Sequence, residues 1–128
     1  MRQNHRRIKR DRLQTIYVKN RTVEKDNEGV PTETFGDAIE KKAEVWAANE
    51  RRQIETYGDR ITNVANVRIQ GNYVLRTADT EAYIEFSDGN EVHMGDGVCV
   101  NVSAAENPDY RVLTIIPARP VRLEIERI

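Results

Sequence analysis

The side chains that could act as a nucleophile, a general base or a soft metal ligand are few, because the chain contains two histidines and one cysteine. Cys99 falls on the outer face of a predicted strand, and His93 also points outward from its strand. His5 lies near the N-terminus. Neither histidine stands in a recognisable relation to the thiol or at metal-ligand spacing, so the sequence predicts no Cys–His pair and no metal centre.

Three carboxyl side chains, those of Asp88, Glu91 and Asp96, lie close together along the chain. They lack the residue order of a calcium-binding loop and its closing glutamate, and we interpret them as turn-forming residues. The sequence also contains no glycine-lysine phosphate loop and no glycine-rich dinucleotide signature. We therefore predict no catalytic residue, no cofactor and no metal, and we do not expect an enzyme.

The stretch from Thr80 to Val102, TEAYIEFSDGNEVHMGDGVCVNV, organises the elements that carry these residues. Apolar residues recur at every second position, which is the period of a strand with one buried face. Ser87–Asn90 and Gly95–Gly97 supply residues that tolerate tight turns. The pattern predicts a three-stranded meander with an apolar face made of Ala82, Ile84, Phe86, Val92, Met94, Val98, Val100 and Val102.

Further strand-like segments flank this stretch, at Leu13–Val23, Thr32–Phe35, Thr62–Gln70, Tyr110–Ile116 and 121–126. The turn Lys25–Gly29 joins the first two into a predicted hairpin. In the last segment apolar and charged residues alternate, which places Arg122, Glu124 and Glu126 on the outer face. About eight short strands with turns between them predict an all-β fold, mainly antiparallel, as a small β-barrel or sandwich with long loops.

Residues 39–57 fit two different periods. Ala43, Trp46 and Ile54 share one helical face, whereas Ala43, Val45 and Ala47 share one strand face. Periodicity alone leaves both readings open. In the second, a strand over residues 42–49 is followed by a polar loop or by one short helix around residues 49–58. Trp46, the single tryptophan, is expected to anchor the core or an interface.

The length of 128 residues suits a single domain with one core, which we place at residues 12–128. The apolar share is 38% and charged residues make up 32%, so we expect a small core with long polar loops or burial against a partner. No apolar run approaches the length of a membrane span, and no apolar stretch follows the basic N-terminus as in a secretory signal. We expect no membrane contact and synthesis in the cytosol.

Positive charge is concentrated at the N-terminus, although 20 basic and 21 acidic residues give the whole chain a net charge of −1. Residues 1–11 are polar and lack an apolar period, which is typical of a flexible arm. This arm is either a solvated tail or a segment that lies on nucleic acid or on an acidic protein surface. The basic residues of this region are Arg2, Arg6, Arg7, Lys9, Arg10 and Arg12.

Several short motifs follow one another in a characteristic order. A first strand ends near Val23, the turn Lys25–Gly29 follows it, and AEVWA at residues 43–47 forms the next apolar segment. GDGV at residues 95–98 and PDYRV at residues 108–112 precede the last strand. Over residues 13–128 this order resembles the head-tail adaptor family of tailed bacteriophages and prophages, also described as head-closure or head-tail joining proteins. The family places its tryptophan-alanine motif on a strand, which favours a strand for Trp46.

The resemblance implies a small β-barrel that assembles as a homo-oligomeric ring, closes the filled head beneath the portal and connects it to the tail. It implies a structural role without catalysis or cofactor, at the virion head–tail interface and in the host cytoplasm during assembly. Its partners would be a portal or adaptor protein above and a tail protein below. The basic arm would face DNA or the portal channel as a non-specific DNA contact.

A cyclic ring needs two different complementary surfaces on each subunit. We place the contacts on the hairpin of residues 20–34 and on the loop of residues 49–59, which carry both signs of charge. The predicted interface residues are Lys25, Asp26, Glu28, Glu50, Arg51, Arg52, Glu55, Tyr57, Asp59 and Arg60.

A small β-barrel that binds nucleic acid through its basic N-terminal arm is the alternative function. Tyr83, Arg68 and Arg76 fall on outer faces, where aromatic and basic side chains could contact bases and phosphates. Binding of this kind would weaken steeply as the salt concentration rises.

Overall fold

The computed structural model describes residues 8–128, so Arg2, Arg6 and Arg7 of the predicted arm lie outside the described residues. In this part of the chain the strands β1 to β11 span Gln14–Lys19, Arg21–Lys25, Pro31–Phe35, Ile39–Ala47, Val64–Ile69, Tyr73–Ala78, Glu81–Phe86, Glu91–Val92, Gly97–Cys99, Tyr110–Ile116 and Val121–Arg127. The helix α1 spans Arg51–Tyr57, and 3-10 turns span Arg10–Arg12 and Gly58–Asn63. No helix among residues 8–128 is both long and apolar enough to cross a membrane.

Six strands form a closed barrel in the order β1-β4-β5-β11-β10-β9. All the neighbouring pairs are antiparallel. This architecture confirms the predicted all-β class, and the closure of the sheet selects a barrel over a sandwich. The barrel core is built from alternating strand residues, with Ile16, Val18, Ala43, Val67, Ile69, Val98, Val112, Val121, Leu123 and Ile125 buried together.

Two smaller sheets accompany the barrel. Strands β2 and β3 pair only with each other within the described part of the chain, and every residue of β2 is exposed. We call this two-stranded ribbon and its turn, residues 20–35, the β2–β3 hairpin. Strands β6, β7 and β8 form a three-stranded sheet, which packs Tyr73, Ile84, Phe86 and Val92 against the barrel core. The hairpin predicted around Lys25–Gly29 is present, but the predicted strand Leu13–Val23 divides at Asn20 into β1 of the barrel and β2 of the hairpin.

The predicted three-stranded meander is wrong in its last member. β7 pairs with β8, with Ile84 opposite Val92, but β9 leaves this sheet and pairs with β1 and β10 in the barrel. Met94, expected on the apolar face, lies in the connecting turn and is 40% exposed. The period of two indicates which side chains share a face, but it does not indicate which strand pairs with which.

Two residues placed on the outer face by the sequence are buried. Cys99 is 1% exposed, because the segment between β9 and β10 covers it and brings the carbonyl oxygen of Glu106 to 3.8 Å from its Sγ atom. Glu124 is 2% exposed, because α1 lies over its side of β11. An outward position on a strand becomes interior wherever another segment crosses it.

The ambiguous stretch resolves into a strand and a short helix. Trp46 lies on β4, as expected, and α1 falls within the predicted region around residues 49–58. The helix begins with a capping box, in which Glu50 accepts from the backbone N–H of Gln53 while Gln53 Oε1 accepts from the backbone N–H of Glu50 at 3.2 Å.

The end of the predicted arm packs on the barrel. Ile8 is 8% exposed, and residues Arg10–Arg12 form a single 3-10 turn directly before β1. The proposed boundary between arm and barrel at residue 12 stays a prediction, since residues 1–7 are not described.

Candidate interaction surfaces

The side chains considered for catalysis have separate partners. His93 Nε2 lies 2.8 Å from Glu91 Oε1, and the imidazole stacks on the ring of Tyr83 with 4.3 Å between centroids. Burial raises the pKa of the Cys99 thiol, which disfavours the thiolate that acts as a nucleophile. Within residues 8–128, no three His, Cys, Asp or Glu side chains come together in an arrangement that could hold a metal ion.

The carboxyl group of Asp96 joins the base of the β2–β3 hairpin to the barrel. It is buried and accepts hydrogen bonds from Asn20 Nδ2 at 2.8 Å and from the backbone N–H groups of Arg21 and His93 at 2.9 and 2.8 Å. Asn20 Nδ2 also donates to the carbonyl oxygen of Glu91 at 2.9 Å. The corner between β1 and β2 is thus held by one side chain from the turn before β9.

Asp88, the third carboxylate of the predicted turn region, has a different role. It accepts from Lys41 Nζ at 2.8 Å, and Lys41, which is buried, also lies over the ring of Phe86 at 3.9 Å. The hydrogen bond from Lys41 holds the pKa of Asp88 below its usual value. This pair ties the turn between β7 and β8 to strand β4 of the barrel.

The tip of the β2–β3 hairpin carries three predicted interface residues, Lys25, Asp26 and Glu28, and all three are exposed. Asp26 Oδ1 accepts from the backbone N–H groups of Glu28 and Val30 at 2.9 and 2.8 Å, so its side chain shapes the turn. Val23 and Val30 are 45% and 52% exposed on the same hairpin. The tip therefore presents both apolar surface and charge.

The base of the hairpin is held by a small ion-pair cluster. Glu33 Oε1 lies 2.8 Å from Arg21 Nε and 2.9 Å from an amino nitrogen of Arg111 on β10. Because β10 belongs to the barrel, Glu33 links the hairpin to it and adds to the anchoring by Asp96.

The predicted interface residues around α1 divide into two groups. Arg51 and Glu55 pair with each other at 3.3 Å on the exposed side of the helix, with 94% and 68% of their side chains accessible. Asp59 is exposed as well. The remaining residues, Glu50, Arg52, Tyr57 and Arg60, contact charged side chains of β11 within the same subunit.

Apart from the exposed Arg60–Glu126 pair, these contacts belong to a polar network around the buried residues Gln53, Asn66 and Glu124, which we call the α1 network. Gln53 Nε2 donates to Asn66 Oδ1 and to Glu124 Oε2, both at 2.6 Å, and Tyr57 donates to Glu124 Oε1 at 2.8 Å. Arg122 bonds Asn66 Oδ1 at 2.8 Å and Glu50 Oε1 at 2.6 Å. Burial, together with the hydrogen bond to Glu124, raises the pKa of Tyr57 to about 12.

The α1 network was not predicted from the sequence. Gln53, Asn66 and Glu124 look like ordinary polar surface residues at alternating or helical positions. The one available signal was the spacing of Glu50 and Gln53, which fits a capping box ahead of a helix. That signal marks where the helix starts, but it does not indicate what the helix covers.

Two guanidinium groups lie near the ring of Trp46. Arg68 and Arg122 lie 5.0 and 5.5 Å from its ring, and both come from strands next to each other in the barrel. Trp46 is half-buried and makes cation–π contacts, and its expected role as an anchor of the core or of an interface stays a prediction. Tyr83 and Arg76, the other candidates for nucleic-acid contact, are engaged with His93 and with Glu85 at 2.6 Å.

A comparison with protein-family models, curated proteins and solved structures finds no match for this chain. The resemblance to head-tail adaptors therefore stays a prediction that depends on the order of motifs in the sequence.

Proposed function

We propose that this protein is a structural subunit of a bacteriophage or prophage, which assembles as a ring, closes the head at the portal and connects it to the tail. The observation that carries the proposal is the β2–β3 hairpin, whose two strands pair only with each other in the described chain and expose nearly all their side chains. The motif order described above supports the same conclusion.

An isolated two-stranded hairpin is marginally stable in water. Both β2 and β3 have an unpaired edge, and unpaired edges are sites where another chain adds a strand. The hairpin is nonetheless anchored at its base by Asp96 and Glu33. Such a ribbon, held at one end and uncovered along its length, is suited to being covered by a neighbouring subunit.

The exposed side of α1 offers a second, separate surface. It combines the charged pair Arg51 and Glu55 with Ile54, which is 51% exposed. A cyclic ring requires such a heterologous contact, in which the hairpin of one subunit contacts a different face of the next. Contacts made through these two surfaces would require no change in the structure of the barrel on assembly.

The proposed partners are further copies of this chain, a portal or adaptor protein on one side and a tail protein on the other. The proposed location is the head–tail interface of the virion, after assembly in the host cytoplasm. The role requires no catalysis and no cofactor, only complementary surfaces.

Deletion of the gene from the phage or lysogen that encodes it tests the proposal. Electron microscopy of lysates is expected to show free tails and separate heads that have lost their DNA. Complementation with the double variant Val23→Asp, Val30→Asp is expected to fail, because the new charges lie on the hairpin surface that a neighbour would cover. Both positions are exposed, so the variant should fold normally.

Thr77→Asp is the matched control, since Thr77 is an exposed strand residue outside both surfaces. It should restore complete virions. Complete virions from the deletion strain itself would refute the assembly role. Complete virions from the hairpin variant would refute the placement of the contact on the β2–β3 hairpin.

A further inference from the structure

A cleft of about 360 Å³ lies where the N-terminal segment crosses the barrel, beside the turn between β10 and β11. Its lining includes Ile8 and Ile116, and otherwise it is dominated by positive charge. Five of the described lining residues are basic and one is acidic; the basic ones are Lys9, Arg12, Arg68, Arg119 and Arg122. We call this site the basic cleft.

The five basic residues come from distant parts of the chain. Lys9 precedes the first 3-10 turn and Arg12 is the last residue of that turn, whereas Arg68 lies on β5. Arg119 lies just before β11, and Arg122 is the second residue of β11. Because the whole chain has a net charge of −1, this convergence is a local concentration of charge rather than a general basicity. Clefts lined by one sign of charge focus the electrostatic potential.

Neighbouring carboxylates neutralise only part of this charge. Glu44 lies 3.4 Å from Arg68 and 3.8 Å from Arg12, and Glu50 lies 2.6 Å from Arg122. Among the described residues, these two carboxylates contact three of the five cations, and the lining itself carries five basic side chains and one acidic side chain, which is a surplus of positive charge. The surplus favours an anionic ligand with more than one charge.

Three of the guanidinium groups are held in position before any ligand arrives. Arg68 and Arg122 lie over the ring of Trp46, at 5.0 and 5.5 Å. Arg119 lies over the ring of Tyr73 at 5.2 Å. Planar guanidinium groups fixed in this way suit phosphate oxygens, which they bind through paired N–H donors.

We propose that the basic cleft binds phosphates of a nucleic-acid backbone. A polymer is favoured over a single phosphate because the sequence immediately before Lys9 contains Arg2, Arg6 and Arg7, so that positive charge continues along the chain. The inference goes beyond the ring proposal, because binding here requires only one subunit. It also differs from an arm-only contact, because Arg68 and Arg122 belong to the barrel.

Fluorescence anisotropy with a labelled DNA duplex and the full-length protein tests the inference over a series of salt concentrations. Affinity should fall steeply as salt rises, with a slope that reports several phosphate contacts. The double variant Lys9→Gln, Arg68→Gln should lower the slope by about two, because each residue is assigned one phosphate contact. It should also weaken binding by about tenfold or more at low salt.

The matched control is Lys25→Gln, Arg127→Gln, which removes two exposed positive charges that do not line the cleft. It should leave the slope nearly unchanged. If both double variants lose the same affinity and slope, DNA binding depends on the total positive charge and not on the basic cleft. That result would overturn the proposal. Circular dichroism melting of both variants verifies that the barrel remains folded.

Three further results would also overturn the proposal. The first is a loss of DNA binding on deletion of residues 1–7, together with unchanged binding in the variant Lys9→Gln, Arg68→Gln. That result would assign DNA binding to the N-terminal arm alone. The second is an affinity for pyrophosphate equal to the affinity for the duplex, which would identify a small phosphate compound as the ligand. The third is competition by polyglutamate at the same charge concentration, which would indicate an acidic protein partner.

Discussion

The side-chain amide of Gln53 donates to Glu124 Oε2 across 2.6 Å and joins α1 to the outer face of β11. Gln53 is the buried residue of this helix, whereas its aliphatic residue Ile54 is 51% exposed. The helix is therefore attached to the barrel through hydrogen bonds more than through apolar burial. Buried networks of this kind are stable only when each member has its partner.

Removal of the central acceptor should destabilise the protein strongly. We expect Glu124→Ala to lower the free energy of unfolding by about 3 kcal/mol, because the donors of the buried Gln53 and the half-buried Tyr57 lose their acceptor. Urea unfolding followed by circular dichroism measures the difference. Glu126→Ala on the same strand is the control.

Glu126 pairs with Arg60 at the surface, at 2.7 Å, so its removal should cost less than about 1 kcal/mol. Equal losses for Glu124→Ala and Glu126→Ala would contradict the assignment of the α1 network as a buried, interdependent unit.

The stability of the protein should decline at alkaline pH because of Tyr57. Burial and the hydrogen bond to Glu124 raise its pKa from 10.0 to about 12, so between these values the folded state retains a proton that the unfolded state releases. Stability is thus fully present below about pH 10 and decreases as the pH approaches about 12. Urea unfolding across this pH range measures the decrease.

Tyr57→Phe should remove the Tyr57 contribution to that decrease. Spectrophotometric titration of tyrosinate should likewise lose one late-titrating group of the five tyrosines. An unchanged titration curve in Tyr57→Phe would show that the phenol is not the group concerned.

The carboxylate of Asp96 should stabilise the base of the β2–β3 hairpin. We expect Asp96→Ala to cost about 1–3 kcal/mol, because Asn20 and the backbone N–H groups of Arg21 and His93 lose a buried acceptor. Asp96→Asn retains one acceptor oxygen and should have an intermediate effect. Native-state hydrogen exchange should show faster exchange of the Arg21 and His93 amides, and unchanged rates there would contradict the anchoring role.

Gly97 should tolerate no side chain. A Cβ atom at this position would lie 2.4 Å from Pro108 Cγ and 3.0 Å from Phe35 Cδ1, so we expect Gly97→Ala to cost about 1–3 kcal/mol through overpacking. At Gly36 the nearest atom would be the Asn20 carbonyl oxygen at 3.7 Å, an ordinary contact. Gly36→Ala should therefore be neutral or slightly stabilising, and thermal melting of the two variants measures the contrast.

The fold class could be predicted from the sequence, because apolar residues at every second position are compatible with few structures other than strands. Leu123 and Ile125 alternate with charged residues, and in the structure both are buried in the barrel. The β2–β3 hairpin was predictable for a similar local reason, since Asp26 and Gly29 form the turn with hydrogen bonds inside a few residues. Trp46 was ambiguous, because its segment fits both periods.

By itself the sequence determined the all-β class, most of the alternating apolar faces and the tight turns, because these depend on neighbours along the chain. Only the tertiary structure decided that β9 joins β1, that α1 covers Glu124, and that Lys9 and Arg68 line one cleft. These relationships join residues far apart in sequence, and they follow from barrel closure and from which segment crosses which face. Alternation carries no information about either.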